Sequence, residues 1–313
     1  MRRKNYSTPI LAVIAIILGL IAWWLMATQE TAVNKNLVLK LSETEIIGFD
    51  IVKTEENQKI EKISVQRDSG NDWIITAPVS DITDPETISL MITPLKWLTT
   101  PSIIKDVSDL SEFGLDRPSL SVTIKLQKGN PVTINFGAES PIPEMYYAQV
   151  AGRSEVVVID KDIKNNLSPK LSYLRERKVV KVTREQVKEL IVAKGREQVY
   201  RMVNHNGGWL LIEPYRVERV ANVVNAIIDG LNTLWTHEND DDLDNLSKYG
   251  LDQPDYRIEL KLTDGKSFSL IANKIGNDYY MLNSLRPTII RQKNPEAFNF
   301  LETGIQDLLK RKP

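Results

Sequence analysis

One stretch of this chain occurs twice, and that constrains the fold more than anything else in it. Trp73 to Asn135 reappears without a gap as Trp209 to Ile271, 136 positions further on. The shift lays Trp73 on Trp209, Pro78 on Pro214, Gly114-Leu115-Asp116 on Gly250-Leu251-Asp252, and Pro118 on Pro254. Trp, Gly and Pro each answer a particular steric demand. Their coincidence at a single offset therefore marks an internal duplication, with two copies of one domain in tandem. The 313 residues leave room for two domains of roughly 130 residues, each able to bury its own core. The expected division is a basic tip and anchor over residues 1–33, a first repeat over 34–180 and a second over 181–313.

The anchor is read from Pro9 to Met26, eighteen residues without a charge. As a helix this run measures roughly 27 Å, near the lower limit for crossing a bilayer. Arg2, Arg3 and Lys4 precede it and belong in the cytoplasm, so the body is expected outside a bacterial inner membrane, in the periplasm. Trp23 and Trp24 lie where an interfacial aromatic belt would form. A cleaved signal peptide fits less well than an uncleaved signal-anchor, because the candidate site ending at Ala32 has Glu30 two positions earlier. The net charge of −1 argues against a nucleic-acid partner. Cysteine is absent, which excludes disulfides, thiolate metal sites and a cysteine nucleophile.

Each copy shows the same local signals. Ile60–Arg67 and Trp73–Thr76 read as a hairpin that ends at Pro78. Asp84-Pro85-Glu86 is a helix start, and Ile88, Met91, Ile92, Leu95 and Leu98 follow at helical spacing, with Pro94 inside the run as a kink. Their counterparts Val224, Ile227, Ile228, Leu231 and Leu234 lie in a helix expected from about Val217 to Trp235, with Gly230 where Pro94 stood. Gly114 and Gly250 read as left-handed caps of one helical turn. Leu120–Leu126 and Tyr256–Leu262 alternate as half-buried strands, and Asp264-Gly265 marks a hairpin. Closing helices are expected over Ile163–Arg177 and Pro295–Lys312. The expected class is α+β: a transmembrane helix, then two antiparallel sheets, each with one long kinked helix and a closing helix.

Candidates for chemistry are sparse. Asp116 and Asp252 are carboxylates held in the same motif in both copies. They would be ligands or general bases in a hydrolase, but between a Gly cap and a Pro they read more simply as turn residues that accept backbone N–H bonds. The acidic run Glu238–Asp244 fails as a calcium loop, because Asn245 and Leu251 stand where Gly and Glu are required. His205 and His237 are the two histidines and lack ligand spacing, so no metal, cofactor or catalytic residue is assigned. Arg175, Arg177, Lys178 and Lys181 form a basic patch, read as a helix end with contact to acidic headgroups or an acidic partner as the alternative. Trp73, Trp209 and the pairs Tyr146-Tyr147 and Tyr279-Tyr280 read as core, with stacking on a sugar or peptide between the repeats as the competing use.

The Trp-x-x-x-x-Pro strand end, the Leu-x-x-(Phe/Tyr)-Gly-Leu-Asp-x-Pro element, the Tyr-Tyr strand and Leu174-Arg175-Glu176-Arg177 resemble bacterial domain-of-unknown-function family 4340. The resemblance implies a membrane-anchored protein encoded beside ABC transporters similar to gliding-motility systems, with no established catalytic residues. The expectation is a non-enzymatic extracytoplasmic interaction module whose partner is an envelope protein such as an ABC permease. The alternatives are a periplasmic ligand-binding protein and, further off, a hydrolase.

Overall fold

A computed structural model describes residues 36–54, 59–195 and 198–312. In the first half the strands are β1 (Asn36–Leu39), β2 (Ile46–Thr54), β3 (Ile60–Arg67), β4 (Trp73–Ala77), β5 (Asp81–Ile82), β6 (Leu98–Thr100), β7 (Ile103–Ile104), β8 (Leu120–Leu126), β9 (Val132–Glu139), β10 (Met145–Val150) and β11 (Val156–Asp160). The second half supplies β12 (Val187–Lys194), β13 (Gln198–His205), β14 (Gly208–Glu213), β15 (Val217–Glu218), β16 (Glu238–Asp240), β17 (Tyr256–Leu262), β18 (Ser267–Ile275), β19 (Asp278–Asn283) and β20 (Ile289–Gln292). Two nine-stranded sheets result, with orders β5-β4-β3-β2-β8-β9-β10-β11-β7 and β15-β14-β13-β12-β17-β18-β19-β20-β16. Each strand of one order has its counterpart at the same place in the other, so the two halves share one topology. β1 pairs separately with β6.

The expected α+β class is overturned: 43% of the described residues are strand and 21% helix, in two large antiparallel sheets. Among the described residues the α-helices are α1 (Pro85–Ile92), α2 (Lys161–Asn166), α3 (Leu171–Leu174), α4 (Ala221–Leu231) and α5 (Asn299–Leu309). The long kinked helix of the first copy is instead eight residues of α1, a 3₁₀ stretch over Thr93–Trp97 with Pro94 near its start, and then β6. The long helix of the second copy contracts to the eleven residues of α4. The closing helix over Ile163–Arg177 is two short pieces, because Pro169 lies between them and Arg175 is extended (φ −73°, ψ 137°). The expected membrane span, residues 9–26, lies outside the described residues. Among the described residues no helix is long and apolar enough to cross a membrane.

The chain divides into two compact units. The second takes Gly48–Asp50, Lys62–Ser89 and Pro169–Pro313, and the rest falls to the first. In the second unit, α4 and α5 lay their apolar sides on one face of the second sheet, and Val224, Ile227, Ile228, Leu231, Leu301, Ile305 and Leu308 are buried with Leu190, Met202, Ile258, Leu270 and Met281. All ten apolar positions matched between the copies, from Ile88 to Leu98 and from Val224 to Leu234, are buried. Gly230 turns out to be a packing residue: a Cβ there would lie 2.2 Å from Cγ of Phe300. Each copy opens with a reciprocal turn in which Ser42 N–H donates to Glu45 (2.9 Å) and Thr183 N–H to Gln186 (2.8 Å). The prolines that end the first hairpin of each copy, Pro78 and Pro214, both follow cis peptide bonds.

The Gly-Leu-Asp-x-Pro element is seated alike in both halves. Gly114 and Gly250 cap a 3₁₀ turn at φ 65°, as expected. The aromatic just before each glycine meets the second tyrosine of the Tyr-Tyr strand. Phe113 lies 4.9 Å from Tyr147, edge to face, and Tyr249 lies 4.8 Å from Tyr280.

Candidate functional site

A group of charged side chains lies buried in the second unit. Asp81 sits on the two-residue edge strand β5, opposite Ile75 of β4. Arg286 comes from the loop between β19 and β20. That loop is fixed by Asn283, which donates to the Val179 carbonyl (2.8 Å) and accepts from Leu285 N–H (2.9 Å). The Arg286 guanidinium grips Asp81 with two parallel bonds, Nε to Oδ1 at 2.8 Å and Nη2 to Oδ2 at 2.9 Å. Neither side chain is exposed at all. Arg175 adds a second guanidinium: its Nε stands 3.1 Å from Asp81 Oδ2 without forming a hydrogen bond, and its Nη2 donates to Asp241 Oδ1 at 2.6 Å. Two carboxylates and two guanidinium groups thus balance in a largely dry place. Taking out Asp81 or Arg286 would leave the other a fully buried charge without its bidentate partner, at a cost of about 3–5 kcal/mol.

Main-chain bonds hold the same place together. The segment Leu174–Val179 is bonded along both sides. Asp84 N–H donates to the Leu174 carbonyl (2.7 Å) and Glu176 N–H to the Ile82 carbonyl (3.0 Å). On the other flank Thr236 N–H donates to the Arg177 carbonyl (2.7 Å) and Val179 N–H to the Leu234 carbonyl (3.0 Å). Above it opens a cleft of about 350 Å³ whose wall includes Tyr173, Arg175, Arg177, Thr236, His237 and Asn239. Tyr173 on the wall is 59% exposed, and the Arg177 guanidinium lies 5.5 Å from the ring centre of Trp235, itself 42% exposed.

Of the residues singled out in the sequence, Arg175 and Arg177 meet here in opposite roles, one buried in the charge cluster and one on the open rim. The tyrosines lie elsewhere. Tyr279 is buried against Phe298 at 4.6 Å, Tyr147 and Tyr280 are half-buried against the glycine-motif aromatics, and Lys164 Nζ sits 3.5 Å from the Tyr146 ring centre. Trp209 is buried, and Trp73 stacks on Phe49 at 5.6 Å. Asp116 and Asp252 are exposed, and the backbone-accepting role in the second copy falls to Asp255, which takes Lys274 N–H at 2.9 Å. His205 is exposed at the end of β13, just before the hairpin turn.

The acidic run is spent on partners within the protein. Asp241 holds Arg175, and Glu238 pairs with Lys293 and Arg291, whose hydrogen bonds keep its carboxyl below the usual range. Asp240 accepts from the Tyr249 hydroxyl and from Asp242 N–H, and those bonds, in that order, hold its carboxyl low as well. Among the described residues no cluster of His, Cys, Asp or Glu could hold a metal ion. Sequence reasoning missed Asp81, Arg286, Tyr173 and Trp235. A signal for Asp81 was present, since the repeat places it opposite Val217, a charge where the other copy has an apolar residue.

No curated protein and no solved structure matches the chain. A family model does match, once, from Trp73 at the end of the first hairpin turn to the first residues of α4. That model describes DUF4340, a domain of unknown function, and residues 73–222 of the chain are similar to it.

Proposed function

We propose that the chain is a membrane-anchored module on the outer side of a bacterial cytoplasmic membrane, docking onto another envelope protein as an accessory component of an ABC-type transport system. The anchor is the charge-free run Pro9–Met26 behind Arg2, Arg3 and Lys4. One observation carries the docking reading. Tyr173 and Arg177 stand exposed on the wall of one cleft, and the exposed Trp235 lies against Arg177; these are the residue types that dominate binding energy at protein interfaces. Their support is rigid: a segment bonded on both flanks, above a buried charge cluster. Side chains held in place before binding lose less conformational freedom when a partner arrives.

The test places a photo-crosslinking amino acid at Tyr173 or Trp235 of the full chain in its native membranes, with Ile275 as an exposed control. A single membrane-protein partner crosslinked from 173 and 235 but not from 275 is the expected result. Arg177→Ala should then weaken co-purification of that partner about tenfold, as loss of a contact worth about 1.4 kcal/mol would. Identical products from all three positions, or none from any, would defeat the reading.

A further inference from the structure

Leu37, Leu90 and Trp97 are exposed apolar side chains of the first unit, at 48%, 51% and 59% exposure. They come from neighbouring pieces of chain. Leu37 on β1 pairs with Thr99 of β6, two residues after Trp97. Leu41 N–H donates to the Leu95 carbonyl at 3.0 Å, so residues 36–41 run beside 95–100. Leu90 is exposed on α1, and Trp97 ends the 3₁₀ stretch that follows that helix. Lys40 folds its ammonium over the Trp97 ring, 4.5 Å from its centre, and Lys96 alongside is paired with Glu43 at 2.7 Å with both side chains in solvent.

We infer that this face rests in the headgroup layer of the membrane that holds the anchor. The inference depends on the anchoring reading above, and two observations select lipid as the occupant. The first is tether length. Only Ala27–Lys35, nine residues, separate the apolar run ending at Met26 from Asn36, the first residue of β1. Fully extended, nine residues reach about 30 Å, and Leu37 is the next residue but one, so the patch stays within a short reach of the bilayer surface. The second is chemistry. A tryptophan and two leucines with a lysine whose stem lies on the ring reproduce the mixture that settles at a membrane interface, with apolar bodies inward and the ammonium toward phosphate.

The chain contains no cysteine, so single cysteines can be introduced and spin-labelled without other changes. Leu37→Cys, Leu90→Cys, Ile275→Cys and Ile17→Cys variants of the full chain would be labelled and reconstituted at high dilution in vesicles of phosphatidylcholine and phosphatidylglycerol. Collision rates of each label with oxygen, which partitions into lipid, and with a nickel chelate, which stays in water, would then be compared. The expected result is an oxygen-to-nickel ratio several-fold higher at 37 and 90 than at 275, with 17 higher still. Aqueous ratios at 37 and 90 with a lipid ratio at 17 would overturn this inference and leave the anchor standing. An aqueous ratio at 17 as well would overturn both. Shielding of 37 and 90 from nickel with no gain in oxygen collisions would mean that protein, such as a second copy of the chain, covers the face, and would overturn the lipid assignment.

Discussion

The same sheet-edge position carries opposite chemistry in the two halves. Asp81 faces Ile75 on β5, and Val217 faces Leu211 on β15, in the same register. Val217 packs on the apolar core of its half. Asp81 is removed further from water than Val217 and yet charged, because Arg286 and Arg175 reach it. The copies therefore share topology and the ten matched core positions while differing where one of them has taken on a partner. A second contrast has the same form. Gly137 on β9 leaves room for the Phe113 carbonyl, where a Cβ would come within 2.1 Å. Its counterpart Asn273 instead donates to the Tyr249 carbonyl at 3.1 Å. Duplicated positions keep the task of seating a turn and change the means.

Asp81→Ala should break the comparison most sharply, lowering unfolding free energy in urea by about 3–5 kcal/mol by leaving two guanidinium groups without their shared carboxylate. Val217→Ala, which trims a half-buried valine, should cost about 1 kcal/mol in the same assay. Remaking the first edge in the image of the second is more informative. Asp81→Val combined with Arg286→Leu should lie within about 2 kcal/mol of the native chain and be more stable than Asp81→Val alone. Equal losses in the single and double variants would show that the stranded charge is not the cause.

At the matched helix positions, Gly230→Ala should cost about 1–3 kcal/mol in thermal unfolding, because Phe300 must move and the gain in helix propensity is smaller. Pro94→Ala should cost only about 0.5–1 kcal/mol through the freer unfolded chain. The smallest effect belongs to a charge cluster at the sheet surface. Burial raises the Glu189 carboxyl, but hydrogen bonds from Arg201 and Lys261 outweigh it and leave the group low. Its contribution is therefore present above the unfolded value of about 4.3 and disappears as pH falls through the folded one. Glu189→Gln should remove less than about 1 kcal/mol at neutral pH and make the acid limb of the stability profile shallower.

The repeat, the alternating strands and the glycine caps were legible because each rests on a local demand: a left-handed residue, a turn, a half-wet face. Helix length was not. The apolar spacing from Ile88 to Leu98 continues unbroken through α1, the 3₁₀ stretch and the start of β6, since all three keep one side toward the core. Arg175 was read as a basic helix end because Leu174-Arg175-Glu176-Arg177 follows apolar residues at helical spacing. Its real partners, Asp81 and Asp241, are distant in the chain. Asp81 and Arg286 are 205 residues apart, and nothing near either one announces the other. Tyr173 and Trp235 were hidden for a related reason, since exposure is set by what does not pack against a ring.

Tandem copies are usually separated where one gives way to the next, by a protease or by a cut in the gene. Here the stretch Leu174–Val179 is bonded to main chain on both flanks. Its amides at Glu176 and Val179 should exchange with solvent deuterium about as slowly as those of interior strands, and a protease should find no opening there. What reads along the sequence as a seam between duplicates would respond to force, heat or digestion as part of the interior.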